Sequence, residues 1–324
     1  MQRGAPLVLG FALLAVPLRA QSRAGSLLVL SKGEQTLSVV DPATLEVVWK
    51  APSGPNPHEV VASADGIRAY ISNYTPHNTI TVVDLVGGRS LPPIDLGSLS
   101  NPHGLAFAGG KVWFTSEGGE AVASYDPIRN RVDWTFPTGQ DRTHMVHVSP
   151  DLKRILAANV SSGTISIIER EGSGSGWSQT IVPTGNGVEG FDVSPDGREV
   201  WAANAGDGTI SIIDLASKRV VQTLDAGLRS ANRLKFTPDG KRVLVSMLAN
   251  PEVAIFDVPT RREVKRVRVG RGAAGIEVQP DGARAYVACT PDDYVAIIDL
   301  ASLEVVGRIS AGRQPDGLAW VAGL

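Results

Sequence analysis

Residues 188–227 read VEGFDVSPDGREVWAANAGDGTISIIDLASKRVVQTLDAG. Four short runs of strand-forming residues, 189–194, 198–203, 209–213 and 218–224, are separated there by turn residues. Between the first two, Pro195-Asp196-Gly197 makes a tight turn, because Pro sets φ and Gly accepts a positive φ. Asp214 ends the third run, where its carboxylate can accept from nearby backbone N–H groups. The spacing predicts a four-stranded antiparallel meander.

The rest of the chain repeats this unit. Acidic residues equivalent to Asp214 stand at Asp41, Asp84, Asp126, Glu169, Asp257 and Asp299, so successive copies lie 43, 42, 43, 45, 43 and 42 residues apart. A second anchor, the turn aspartate, recurs at Asp65, Asp151, Asp196, Asp239 and Asp281, while one copy has Ala108-Gly109-Gly110 instead. Seven four-stranded units with a period in the low forties predict an all-β, seven-bladed β-propeller, whose blades bury their faces only against neighbours. The first copy has only three strands, at 27–30, 36–40 and 45–50, and Gln314–Trp320 repeats the opening strand of the other copies. One C-terminal strand joining three N-terminal ones would therefore close a single domain over residues 21–324, and would leave no sheet edge open at the seam.

The remaining features bound the class. Arg3, the apolar run Ala5–Val16 and Leu18-Arg19-Ala20 read as a secretory signal peptide over residues 1–20, too short to span a bilayer, with no transmembrane segment after cleavage. A periplasmic or secreted protein is expected. Lys and Arg number 31 against 33 Asp and Glu, a formal charge of −2, so no basic excess points to nucleic acid. Cys289 is the only cysteine; an internal disulfide is impossible and the residue reads as a small buried hydrophobe. The Gly/Ser-rich insertion Glu171–Trp177 reads as a surface loop.

The segments IRAYISNY (67–74), SPDGREVWAAN (194–204), GTISIIDLASKRVV (208–221) and DGARAYVACT (281–290) resemble the repeats of YVTN-type, YncE-like seven-bladed propellers over residues 27–322. That resemblance implies the fold and a bacterial, extracytoplasmic setting. It does not choose among noncatalytic binding proteins, lactone hydrolases and propeller parts of redox enzymes, since the matched residues are turn and strand formers.

Aligning the repeats seven residues before the turn aspartate places His58, His103, His144, Glu189, Asn232, Ala274 and Asp316 at one position around the ring. Three imidazoles followed by a carboxylate suit a divalent transition metal, with His58, His103, His144 and Glu189 as ligands. The alternative is a set of histidines bonded to backbone or water, and strict strand alternation favours it, since it turns His58 to the same side as Val60. The end of the second strand supplies Asn73, Asn159 and Asn204, with Tyr74 and Glu117 one residue beyond that position in their copies. Asn73, Glu117, Asn159, Asn204, Asn232 and Asp316 are thus candidate contacts to a ligand, and Arg142 and Arg229 stand in neighbouring loops. Three residues beyond the histidine position along each inner strand, His147, Asp192, Lys235 and Glu277 would line the channel as an arc that satisfies itself and holds water, or else serves as a proton or ligand path.

No nucleophile elbow, CxxC, HExxH or phosphate-binding loop is present. The reading is an extracytoplasmic monomer that binds a small ligand or protein partner at the channel mouth, without catalysis. The alternatives are a metal-dependent hydrolase of lactone type and a propeller subunit of a periplasmic redox complex.

Overall fold

Every predicted run forms a strand. The computed structural model describes residue 1 and residues 25–172 and 174–324; the signal-peptide reading falls on residues 2–24, outside the described ones. Twenty-eight strands, β1 to β28 in chain order, form seven four-stranded antiparallel sheets. The helical content among the described residues is one short 3₁₀ turn, Thr290–Asp292.

Blade 1 is the seam. β1 (Ser26–Ser31) lies between β2 (Thr36–Val40) and β28 (Pro315–Val321), with β3 (Val47–Pro52) outermost. Leu27 pairs with Trp320 and Leu28 with Ala319, so the C-terminal strand closes the ring as expected. The inner strands of blades 2 to 7 are β4 (Pro57–Ala62), β8 (Pro102–Ala108), β12 (Thr143–Val148), β16 (Val188–Val193), β20 (Ala231–Phe236) and β24 (Ala273–Val278).

The aspartates that give the repeat its register are turn clamps. Asp214 Oδ1 accepts from Ser217 N at 2.7 Å, and Asp41, Asp84, Asp126, Asp257 and Asp299 make the same kind of bond two or three residues on. Glu169, the one glutamate, instead pairs with Arg154 and Lys218. Turn aspartates Asp65, Asp151, Asp196, Asp239 and Asp281 each accept from the backbone N–H two residues later. Their side chains supply bonds that short turns leave unmade.

The core is divided as the blades are. Seven apolar clusters occupy the seven interfaces between neighbouring sheets. Between blades 5 and 6, for example, Trp201, Ile210 and Ile212 meet Leu234, Phe236 and Val243. Each such side chain, taken wholly out of water, contributes about 1.5–3 kcal/mol. Cys289 is completely buried and burial pushes its thiol up to about 12, which fits the small hydrophobe expected. Trp177, at the end of the Glu171–Trp177 insertion, opens a strand and lies 5.2 Å from Trp134.

Candidate functional site

The inner strands do not alternate strictly. In all seven blades the pairing slips near the strand's start: between Pro57 and Val60, Pro102 and Leu105, Thr143 and Val146, Val188 and Phe191, Ala231 and Leu234, Ala273 and Ile276, and opposite Val29 and Ser31 in blade 1. A bulge re-aims the residues it contains. It frees His58 and its equivalents from the side that carries Val60, so they turn to the channel mouth.

Close packing of the bulges comes from the residue that follows. Four of the seven blades have glycine there, at Gly104, Gly190, Gly275 and Gly317. A Cβ on Gly275 would stand 2.1 Å from the Asp316 carbonyl oxygen, and one on Gly317 would stand 2.2 Å from that of His58. Only a bare backbone lets neighbouring blades approach so closely. Two blades carry charge at this position, Glu59 and Arg233, and those side chains meet across the channel in a buried ion pair.

Above that pair lies a cavity of about 270 Å³, lined by His58, His103, His144, Glu189, Asn232 and Asp316, with Lys32, Tyr74 and Arg142 at its sides. The three histidines come together as the alignment predicts. His103 stacks on His144 with ring centroids 3.6 Å apart and planes 27° apart, and meets His58 edge-on at 5.3 Å.

Their hydrogen bonds assign the rings different states. His58 donates from Nδ1 to the Asn56 carbonyl at 3.2 Å and accepts at Nε2 from Lys32 at 2.9 Å. Burial lowers its pKa, against the pull of Asp316, so it is neutral. His144 sits between two carboxylates: Nδ1 is 2.5 Å from Glu117, and Nε2 is 3.1 Å from Glu189, in ion-pair range though off the line of a hydrogen bond. Burial opposes its charge, yet Glu117 and Glu189 outweigh burial and raise its pKa. Glu189 responds in kind: burial would raise it, but His144 holds it down to about 2. His103 lies well below the ordinary histidine value, first from burial and then from the charge on His144, and its buried Nδ1 has no partner.

Glu117 completes the group. It accepts from Tyr74 Oη at 2.5 Å and faces Arg142 Nε at 3.5 Å. Burial and Glu117 together push the Tyr74 hydroxyl up to about 12. On the opposite side Asp316 pairs with Lys32. Asn232 reaches Glu189 at 3.5 Å.

This geometry corrects the metal reading of His58, His103, His144 and Glu189. The lone pair of His58 is taken by Lys32, and His144 is engaged by Glu117 at Nδ1 and faces Glu189 at Nε2, which together favour its protonated form, so His103 is the one ring of the three with no charged partner. Stacked rings also direct their nitrogens side by side instead of to one point. Among the described residues no group of three or more His, Cys, Asp or Glu is arranged to hold a metal ion.

The asparagines need a second correction. Asn73, Asn159 and Asn204 are fully buried and do not line the mouth. Asn73 donates to Ser53 O and accepts from Thr81; Asn159 donates to Ser166; Asn204 donates to Thr209 and Ser211. They tie the second strand to the third and to adjoining loops. Arg229 is exposed and outside the cavity, whereas Glu117, Asn232 and Asp316 belong to the site or its wall. Three participants went unread: Lys32, Glu59 and Arg233. Asp316, the partner of Lys32, stands at the other end of the chain, Glu59 and Arg233 meet from different blades, and for these two the only available signal was charge at a position otherwise rich in glycine.

Among the described residues no helix is long and apolar enough to cross a membrane. A functionally unknown protein of Desulfotomaculum acetoxidans is 15% identical, with a TM-score of 0.77 over 93% of this chain and 100% of its own. A proposed 6-phosphogluconolactonase of Bacteroides fragilis is 18% identical, with a TM-score of 0.77 over 93% of this chain and 99% of its own. Hydrazine synthase of Kuenenia stuttgartiensis is 20% identical, with a TM-score of 0.68 over 81% of this chain and 89% of its own. At these identities the likeness is one of fold. A comparison with curated proteins found no match. The model of the YNCE-like β-propeller family matches residues 112–278, and with seven closed blades around that segment the chain belongs to this family.

Proposed function

We propose that this protein is an extracytoplasmic propeller that holds a small polar ligand, or a polar group of a partner protein, at the channel mouth without transforming it. One observation carries this reading: His103 is the imidazole at the mouth whose ring makes no hydrogen bond, in a cavity where the charged groups are already paired with one another. A fixed frame around one uncommitted donor and acceptor suits recognition. General base catalysis asks for a group that takes up a proton near working pH, and burial makes His103 a weak base. The extracytoplasmic setting is supported by the apolar run at residues 5–16 and the small residue Ala20.

The test is a thermal-shift screen of small polar metabolites against the mature protein, repeated with His103→Leu. Compounds that raise the melting temperature of the native protein, lose the effect in the variant and remain chemically unchanged by NMR would support the reading. Turnover of a stabilising compound would overturn the noncatalytic part. Equal stabilisation of the variant would remove the site. Sequencing the N-terminus of protein recovered from the periplasm or medium should begin at Gln21.

A further inference from the structure

Beyond the Arg233–Glu59 pair the channel opens into a second cavity of about 320 Å³, and Arg233 lines both spaces. Its wall has two halves. Blades 1 to 3 contribute apolar groups, chiefly Phe107, Leu318 and Trp320, together with the Glu59 carboxylate that pairs with Arg233. Blades 4 to 7 contribute His147, Asp192, Lys235 and Glu277 in succession.

The charged half does not satisfy itself. Asp192 spends its carboxylate on the backbone N–H groups of Val193 and Phe236, each at 2.9 Å. Among the described residues Lys235 Nζ and the His147 ring have no hydrogen-bond or ion-pair partner, and the Glu277 carboxyl is met by the Trp320 backbone but has no ion-pair partner. Attraction to Asp192 keeps Lys235 charged. Burial raises Glu277 to about 7 against the pull of Lys235, so its carboxyl can donate or accept near neutral pH. Lys235 and His147, half-buried and without protein partners, leave charge and hydrogen-bonding capacity facing the chamber that a ligand can meet.

We infer that this chamber binds a small zwitterion with an apolar side chain, of the α-amino-acid class, with its carboxylate on Lys235, its ammonium beside Asp192 and Glu277, and its side chain against Phe107 and Trp320. A simple anion at Lys235 would sit beside Asp192, and a simple cation at Asp192 would face Lys235 and Arg233. A ligand with both charges on one carbon satisfies both ends and turns its remaining bond to the apolar wall. Size agrees: at about 30 Å³ per water-sized group, the chamber holds about ten non-hydrogen atoms, the scale of leucine or phenylalanine. The inference does not depend on the mouth binding anything.

Calorimetric titration of the mature protein with leucine and with phenylalanine tests it. Saturable binding is expected, weakened at least about tenfold in Lys235→Met. N-acetyl-leucine, which lacks the ammonium, and leucinamide, which lacks the carboxylate, should each bind the native protein at least about tenfold more weakly than leucine. These analogues keep the test decisive even if Lys235→Met fails to fold. No saturable binding of either amino acid at about 10 mM, or equal affinity for the analogues, would overturn the inference. Binding abolished by His103→Leu but retained by Lys235→Met would also overturn it, by placing the ligand at the mouth.

Discussion

His144 shows how a single side chain is assigned its state by neighbours on two other blades. Glu117 comes from blade 3 and Glu189 from blade 5, and each is held below its ordinary pKa despite burial because the imidazolium lies between them. The sign of the pH dependence follows. Glu189 falls from 4.5 to about 2, so its contribution is complete above 4.5 and is lost as pH drops toward 2. His144 is raised above 6.5, so its contribution is complete below 6.5 and is lost as pH rises through the higher native value. The trio therefore stabilises most between 4.5 and 6.5. Glu189→Gln should cost on the order of 3 kcal/mol at about pH 5.5, and denaturant unfolding should show that deficit shrinking by about pH 2.5. A deficit that does not change with pH would mean that the pair is not ionic. The gathering of His58, His103 and His144 was legible because the turn aspartates set the repeat register. Their protonation was not, since Lys32, Glu117 and Glu189 approach from other blades and no local pattern announces such contacts. Asn73, Asn159 and Asn204 were misread for the opposite reason: the partners that bury them are close in sequence, at Thr81, Ser166 and Ser211.

At the scale of the strand, the bulge decides what the channel sees. The second and third strands of each blade pair in unbroken register and, buried on both faces, read as short continuous apolar runs between turn residues, and for this reason their limits could be placed to within a residue or two. The inner strands depart from it at one shared place, through backbone geometry that side-chain types encode only in the recurrent glycine. Gly275 tests that account. Its φ is not in the left-handed region, so alanine meets no backbone penalty there, only the Asp316 carbonyl 2.1 Å away. Gly275→Ala should lower stability by at least about 2 kcal/mol through overpacking against rigid backbone, as measured by denaturant unfolding. Gly174→Ala is the matched control, because its Cβ would find no atom nearer than 3.6 Å; a change within about 0.5 kcal/mol is expected. Equal costs at the two positions would show that the blades can separate to make room, and that glycine does not set their spacing.

The whole molecule depends on contacts between the two ends of the chain. β28 pairs with β1 along its length, and Leu318, Ala319 and Val321 belong to the apolar clusters on both sides of blade 1. Removing residues 315–324 would strip those clusters and leave the edge of β1 unpaired beside an open ring. Loss of cooperative unfolding is expected, seen as a broad calorimetric transition, together with aggregation; removing only 322–324, beyond the end of β28, should leave the transition cooperative. Joining the ends distinguishes closure from the mere presence of the strand. A circular permutant that links residue 324 to residue 25 through a short flexible linker, with new termini between β3 and β4, makes blade 1 continuous and moves the opening to a loop. It keeps every pairing and converts the most distant contacts in the chain into local ones. Such pairings are slow to form because a long loop must close first, so the permutant should refold faster than the native chain while unfolding at a similar denaturant concentration. If the permutant folds no faster, the ring does not close last, and blade 1 forms before the other blades are in place.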